Sequence, residues 1–315
     1  MKNFGNKSDG PHYAVSAFTR ELIDDVVRDR YSIRAWRTLL SRSWARSLDD
    51  LNTSPDRTRS FWWWVAAVAA VGTVIILLTL WFQTPRQAFT ALVLWLFWYA
   101  GATFFLLTHL GMVDDLSGQP HQSLLLPNGL SFARLALAPL VLWPCLQLPV
   151  HAITGPIFVL FLTGLSLSDL ADGWVARRQG LCTRMGRMLD VLADLALLTF
   201  LAIGLYSADL IPGLLLWLLI VRYPFLLIAV LIMSFARGPA SMRPSFLGKA
   251  TTFATSVVLL VVAFKTLLSV SWPAPLLIEW SFRFLYFLVS ANVLYLIYRG
   301  MNWTGIKKNY NSGNL

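Results

Sequence analysis

Charged side chains are scarce in this chain of 315 residues. They make up 13% of the sequence, whereas hydrophobic residues make up 57% and the mean hydropathy is +0.60. In soluble globular domains about one quarter of the residues are charged. The shortage of charge therefore argues against a soluble domain and is typical of a protein that crosses a membrane several times.

Cysteine is scarce as well, since the chain contains only Cys145 and Cys182. We expect these two residues near opposite membrane faces, too far apart for a disulfide bond. No Cys/His spacing typical of a metal site occurs. The first sixty residues lack an early apolar core, so we do not expect a cleavable signal peptide.

Long apolar runs are abundant. Each is long enough, or nearly so, to cross a hydrocarbon layer of about 30 Å as a helix. Only helices or closed barrels satisfy the backbone in lipid, and the runs lack the two-residue alternation of barrel strands. We therefore predict an all-α polytopic membrane protein with eight spans, at residues 61–82, 88–111, 129–148, 153–171, 187–207, 211–235, 247–269 and 276–298.

Basic residues set the expected orientation. The net charge is +10, and arginines and lysines concentrate in alternate connections, such as those that contain Arg178 and Arg243. By the positive-inside rule we expect both termini on the cytoplasmic side of the membrane. We expect this to be a bacterial inner membrane, with anionic lipids in contact with the basic residues. The basic residues are scattered over loops and form no single face, so nucleic acid is not an expected partner.

The chain divides by composition into four parts. Residues 1–60 are polar and arginine-rich, with apolar residues at helical spacing, which predicts amphipathic helices on the cytoplasmic surface or else a partly ordered basic tail. Residues 61–124 would form an accessory module of two transmembrane helices. A polar connection separates it from a six-helix membrane core at 125–300. Residues 301–315 form a basic cytoplasmic tail.

Two aspartates stand at the end of the fourth span. If that helix continues, Asp169, Asp172 or Gly173, and Ala176 share one face, because residues three and four apart are neighbours on a helix. Gly173 and Ala176 leave this face shallow enough for a bulky ligand to lie against the backbone. Arg177 follows one turn after Gly173 and could neutralise a phosphate.

Two more aspartates begin the fifth span. Gly186, Asp190 and Asp194 recur every four residues and form one stripe. If the two helices pack antiparallel across the turn at 178–185, all four carboxylates converge. Carboxylate oxygens suit Mg²⁺ or Mn²⁺, and four negative charges exceed what one divalent ion offsets, so we predict two ions. That the four aspartates are ordinary charges at helix ends is the weaker interpretation. Insertion of an aspartate into a membrane costs about 2.5–3.5 kcal/mol of free energy, so four at helical spacing are improbable without a function.

The whole stretch resembles the signature of the CDP-alcohol phosphotransferase family. The family pattern D-x2-D-G-x2-A-R-x8-G-x3-D-x3-D is matched without exception by Asp169, Asp172, Gly173, Ala176, Arg177, Gly186, Asp190 and Asp194. The segment from Pro127 to Arg134 is similar to the family's entry to its first core helix, and Gly248 to Thr252 is similar to the opening of its fifth. The resemblance covers roughly residues 125–300 and leaves residues 1–120 out.

The resemblance implies a six-helix core, a homodimer, a two-metal site that opens to the cytoplasm, and transfer of a phospho-alcohol from a CDP donor to a hydroxyl with release of CMP. It makes Asp169, Asp172, Asp190 and Asp194 metal ligands, and Asp194 also the general base. The residues that it implies around the cytidine diphosphate are Asn128, Ser131, Asp172, Gly173, Ala176, Arg177, Thr183 and Gly186.

Three basic residues are candidates for a phosphate of the acceptor or lipid. Arg222 stands deep in the sixth span, beside Tyr223 and Pro224, which predict a kink. Arg134 and Lys249 stand at the expected cytoplasmic ends of core helices, where snorkelling is the alternative explanation. For Arg283, some way into the last span, the sequence gives no assignment.

The favoured function is a phospholipid synthase that uses CDP-diacylglycerol and a small polar alcohol, with glycerol 3-phosphate weakly favoured by the basic residues. Within the same family, an enzyme that transfers from CDP-choline or CDP-ethanolamine to diacylglycerol is the alternative. A cation transporter with intramembrane carboxylates is the alternative of another class, but it would place them near the bilayer midplane. The intact motif argues against a scaffold without activity.

Overall fold

The computed structural model describes residues 32–81, 85–110, 123–145, 154–179, 183–225, 246–268 and 274–301, together with Glu21, Asp25, Val26, Arg28 and Asp29. Within these ranges the chain is almost entirely helical and has no strand, which confirms the all-α prediction. The α-helices are α1 Ile33–Thr53, α2 Pro55–Trp81, α3 Pro85–His109, α4 Leu126–Leu137, α5 Leu142–Cys145, α6 Thr154–Gln179, α7 Arg184–Ser207, α8 Gly213–Ile220, α9 Phe246–Leu267 and α10 Pro275–Met301.

Seven helices in the described part of the chain are long and apolar enough to cross a membrane. They correspond to seven of the eight predicted spans and support an integral membrane protein. The predicted span at 211–235 is represented by a shorter apolar helix, Gly213–Pro224. Its second half falls on residues 226–245, which include Arg243 and lie outside the described ranges.

The first described helices form a connected unit. Ser32 caps α1, since its Oγ accepts a hydrogen bond from the backbone N–H of Ala35 at 3.1 Å. Pro55 then begins α2 six residues before the predicted span, because proline suits the first turn of a helix. The buried Oγ of Ser43 donates to the carbonyl of Thr108 at 2.6 Å and so holds α1 against the end of α3.

Helix α4 lies at the centre of the molecule. In an 18-residue stretch of the span Leu126–Cys145, which α4 begins, 78% of the residues are buried, against 22% to 50% in the corresponding stretches of the other six candidate spans. Helices α2 and α3 pack on one part of its surface, and α6 and α7 pack on the rest. A central helix can carry buried polar residues only where neighbours pair with them, and α4 carries Asn128, Ser131 and Arg134.

The irregular backbone after α4 and α8 has local causes. Pro139 lies in a 3₁₀ turn at Ala138–Val141, directly after α4. Pro224 lies in a π-helical turn at Val221–Phe225, which agrees with the kink predicted there. Proline has no N–H to donate to the preceding turn, so each of these segments departs from α-helical hydrogen bonding.

Candidate metal and nucleotide site

The side chain of Arg134 lies among all four aspartates of the sequence motif and has no exposed surface. Its Nη1 is 2.9 Å from an oxygen of Asp169 and 3.5 Å from an oxygen of Asp172. Its Nη2 is 2.5 Å from an oxygen of Asp190 and 3.3 Å from an oxygen of Asp194. The four carboxylates therefore converge, as the sequence predicted. They reach Arg134 of α4 from α6 and α7, which both pack against α4.

Three of these carboxylates form an accessible group. Asp169, Asp190 and Asp194 each offer one oxygen, and the three oxygens lie within 4.8 Å of one another. Their side chains are 42%, 42% and 38% exposed, so a ligand can reach them. A set of carboxylate oxygens at this spacing fits a hard divalent cation.

Asp172 is placed differently from the other three. Its side chain is only 5% exposed, and it accepts a hydrogen bond of 2.9 Å from Oγ of Ser131. Ser131 and Arg134 stand three residues apart on α4, so they present both groups to α6 from one face. Asp172 therefore links α6 to α4 beside the accessible group.

The start of α7 is fixed to α4 by Thr183 and Asn128. Oγ1 of Thr183 accepts from the backbone N–H of Gly186 at 2.9 Å, as a helix N-cap, and donates to Oδ1 of Asn128 at 3.0 Å. A Cβ at position 186 would collide with that same Oδ1, so any residue other than glycine would displace the side chain of Asn128. Nδ2 of Asn128 is buried and has no hydrogen-bond partner among the described residues.

The remaining predicted nucleotide contacts lie on α6. Gly173 and Ala176 are partly exposed, within one to two turns of Asp169 and Asp172 on the same helix. The backbone of Arg177 continues this helix, but its side chain lies outside the part of the chain that the structure describes.

Arg222 lies in a second buried polar group. One nitrogen of its guanidinium, Nη2, donates to the carbonyl of Gly248 and to Oγ1 of Thr252, both at 3.0 Å. The other, Nη1, donates to Oδ1 of Asn292. These bonds join the π-helical turn to α9 and α10. Lys249, which the sequence paired with Arg222 as an acceptor contact, is exposed in the first turn of α9.

Two arginines have positions that the sequence did not predict. Arg134 was a candidate for a substrate phosphate, yet it points into the aspartate cluster; its spacing of three from Ser131 was the available signal. Arg283 had no assignment. It lies 2.6 Å from Glu279, one turn earlier, and over the ring of Trp280, in an exposed ion pair that the spacing of four could have indicated.

Comparison with known proteins agrees with this geometry. The family model of CDP-alcohol phosphatidyltransferase matches residues 124–292, more than half of the chain. A cardiolipin synthase (CMP-forming) of Streptomyces coelicolor is 35% identical over 142 residues, which are 45% of this chain and 66% of that protein. No solved structure matches the chain.

Two further relatives differ in how much of their length the match covers. A CDP-diacylglycerol–glycerol-3-phosphate 3-phosphatidyltransferase of Aquifex aeolicus is 34% identical over 148 residues, 46% of this chain and 79% of that protein. A cardiolipin synthase (CMP-forming) of Rattus norvegicus is 33% identical over 154 residues, but only 48% of its length is covered. The family match includes every aspartate of the cluster, Arg134 and Asn128. The chain therefore belongs to the CDP-alcohol phosphatidyltransferase family.

Proposed function

We propose that this protein transfers a phosphatidyl group from CDP-diacylglycerol to a small polar alcohol and releases CMP. The observation that carries the proposal is the group of three accessible carboxylate oxygens within 4.8 Å of one another, beside a fourth aspartate and Arg134. The names of the relatives, which specify a CDP-diacylglycerol donor or CMP as a product, support the same reaction.

Asp169, Asp172, Asp190 and Asp194 would hold two divalent cations, either Mg²⁺ or Mn²⁺. With all groups ionised, the four carboxylates and Arg134 carry three net negative charges, more than one divalent cation offsets. When bound, the cations would stabilise the negative charge of the diphosphate and of the departing CMP.

Asp194 would act as the general base. The acceptor oxygen forms a bond to the phosphorus that carries diacylglycerol, the bond from that phosphorus to the CMP oxygen breaks, and the hydroxyl proton passes to the carboxylate of Asp194. The partial exposure of Asp194 leaves it open to an acceptor. Arg134 would keep this carboxylate and its neighbours in place, so catalysis would depend mainly on positioning and proton transfer.

The cytidine diphosphate would lie along α6 and the start of α7. We assign to this pocket the residues Asn128, Ser131, Asp172, Gly173, Ala176, Arg177, Thr183 and Gly186. The unpartnered Nδ2 of Asn128 supports a hydrogen bond to the ligand, since a buried donor without an acceptor is costly. The absence of bulky side chains at Gly173 and Ala176 supports a close approach of the nucleotide to the backbone.

The acceptor would be an alcohol that carries a glycerol unit and a phosphate, such as glycerol 3-phosphate. The name of the Aquifex aeolicus relative specifies this acceptor. Lys249 and Arg222 are proposed contacts to its phosphate. Nε of Arg222 is a buried donor that has no partner among the described residues. Transfer from CDP-choline or CDP-ethanolamine to diacylglycerol is the alternative reaction.

The site would open to the cytoplasm, the side to which the positive-inside rule assigns the basic connections. Residues 61–124 would act as an accessory membrane module and residues 125–300 as the catalytic core. A second copy of the chain is the expected partner in a homodimer, and the bacterial inner membrane is the expected location.

Reconstituted protein would test the reaction directly. The protein is placed in phospholipid nanodiscs with Mn²⁺ and labelled CDP-diacylglycerol, and CMP is measured after glycerol 3-phosphate or phosphatidylglycerol is added. A parallel reaction with CDP-choline as donor and diacylglycerol as acceptor tests the alternative, which CMP release in that reaction alone would favour. We expect release of CMP that depends on the acceptor. Asp194→Asn should slow it by about 10²- to 10⁴-fold, the usual contribution of a general base, while CDP-diacylglycerol still binds.

Asp209 offers a matched control for the aspartate substitution. It is exposed between α7 and α8 and has a φ of 58°, a conformation that asparagine also tolerates. Asp209→Asn should therefore leave CMP release unchanged. The proposal fails if the wild-type protein releases no CMP with any acceptor, and metal flux into vesicles under the same conditions would favour a transporter.

A further inference from the structure

Helix α4, which presents Asn128, Ser131 and Arg134 to the site, ends near a backbone carbonyl that cannot receive the usual α-helical hydrogen bond. In an α-helix the carbonyl of Leu135 would accept from the N–H four residues later. That residue is Pro139, which has no N–H. Leu135 is buried, so water cannot replace the missing donor. An unpaired carbonyl in such a position weakens the helix.

Trp98 supplies the missing donor from a different part of the chain. Its ring nitrogen Nε1 donates to the carbonyl of Leu135 at 2.8 Å. Trp98 belongs to α3, which lies outside the region that the family model matches, residues 124–292. A residue of the accessory helices therefore donates a hydrogen bond to the backbone of α4. The carbonyl that accepts it belongs to Leu135, the residue after Arg134.

The same tryptophan also reaches the helix that carries two of the aspartates. Its ring packs edge-on against Phe200 of α7, with the ring centroids 4.9 Å apart. Phe200 stands less than two turns after Asp194 on that helix. Trp98 thus contacts both α4 and α7, and these two helices supply Arg134 on one side and Asp190 and Asp194 on the other.

Helix α2 supports the start of α4 in a similar way. Oγ of Ser60 accepts from the backbone N–H of Leu124 at 2.8 Å, just before the helix begins. The ring of Trp64 lies so close to Gly129 that a Cβ there would collide with it. Gly129 is the neighbour of Asn128. Contacts from the accessory helices therefore fix α4 near both of its ends.

We propose that Trp98 is a positioning residue for the aspartate site. By satisfying the carbonyl that Pro139 leaves unpaired, it holds α4 in the register that places Arg134 among the four carboxylates. The accessory helices α2 and α3 are in this sense part of the working site and not only a membrane attachment. The role of Trp98 in the reaction rests on the proposed function, but its effect on α4 does not.

A double-mutant cycle with Trp98 and Pro139 tests the positioning role of Trp98. Trp98→Phe keeps an aromatic ring beside Phe200 and removes only the N–H donor and part of the ring. Pro139→Ala returns a backbone N–H four residues after Leu135. We expect W98F to weaken Mn²⁺ binding, measured by electron paramagnetic resonance, by about tenfold, the effect of one unsatisfied buried acceptor. We expect W98F/P139A to recover most of the loss.

Trp95 is the matched control, one turn earlier on the same helix. It is buried, but its Nε1 has no hydrogen-bond partner among the described residues. Trp95→Phe therefore removes a similar volume without removing a hydrogen bond. P139A should bring no recovery in the W95F background, whether the readout is Mn²⁺ affinity or the midpoint of thermal unfolding in detergent.

The outcomes separate this proposal from the proposed function. If P139A rescues W95F as well as W98F, or rescues neither, the positioning role of Trp98 is wrong. Should W98F fail to fold, folding of the double variant supports the proposal and its failure to fold contradicts it. The unfolding midpoint needs no substrate, so absence of CMP release by the wild-type protein would overturn the proposed function alone.

Discussion

Nη2 of Arg134 lies 2.5 Å from Oδ1 of Asp190, and the arginine side chain has no exposed surface. A buried guanidinium is costly unless it is paired, and four carboxylates that converge repel one another unless a cation lies between them. Arg134 and the aspartates therefore depend on each other. The arginine gives the acidic site a fixed positive charge that is present before any divalent cation binds.

Replacement of Arg134 by glutamine should make the fold depend on metal. Without divalent cations the variant should lose about 1–3 kcal/mol of stability, a value reduced for the partial exposure of three of the carboxylates. Mg²⁺ should then raise its unfolding temperature more than it raises that of the wild type. Thermal unfolding with and without chelator measures this.

The exposed pair of Arg283 and Glu279 offers the control for that experiment, because it lies far from the motif in sequence and is open to solvent. Arg283→Gln should change stability by less than about 0.5 kcal/mol and leave the metal-induced shift unchanged. An equal metal response in R134Q and the wild type would contradict the role given to Arg134.

Addition of a methyl group at Gly186 should disturb the contact between α4 and α7. The new Cβ would meet Oδ1 of Asn128 and Oγ1 of Thr183, so Gly186→Ala should cost about 1–3 kcal/mol, the usual effect of overpacking. We expect the KM for CDP-diacylglycerol to rise. Gly164→Ala is the control, because a Cβ at that helical position meets nothing within 4 Å; it should be neutral or stabilising.

Removal of the hydroxyl of Ser131 should loosen Asp172. The carboxylate would keep Arg134, at 3.5 Å, and the backbone N–H of Gly173. Ser131→Ala should cost about 1–2 kcal/mol for the lost bond to a charged group. Weaker Mn²⁺ binding, measured by electron paramagnetic resonance, would accompany this. Ser166→Ala removes a hydroxyl whose partner, within the described residues, is a carbonyl in the preceding turn of its own helix, and it should leave metal affinity as it was.

Arg222 and Lys249 should respond differently to substitution by glutamine. Arg222→Gln breaks bonds to Gly248, Thr252 and Asn292, so we expect the unfolding midpoint to fall by an amount equivalent to about 1–3 kcal/mol. Lys249→Gln changes an exposed side chain and should keep the wild-type stability. The KM for glycerol 3-phosphate, measured for both variants, decides whether either residue contacts the acceptor; an unchanged KM removes that residue from the acceptor site.

Most of the secondary structure could be predicted from the sequence because apolar runs of this length have one stable form in lipid. The seven spanning helices of the described chain fall on predicted spans, with boundaries that differ where proline acts locally, as at Pro55. The gathering of Asp169, Asp172, Asp190 and Asp194 was also predictable, since helical spacing places each pair on one face and a short connection brings the two helix ends together.

The sequence by itself determined the membrane class, the helical spans and the acidic motif, because each depends on composition or on spacing along a single helix. The tertiary structure decided which partner each buried polar group has. Only packing puts Arg134 among the aspartates, leaves Asp172 to Ser131, and brings Trp98 to the carbonyl that Pro139 leaves unpaired. These contacts join residues that are distant in sequence, and no local periodicity encodes which helix faces will meet.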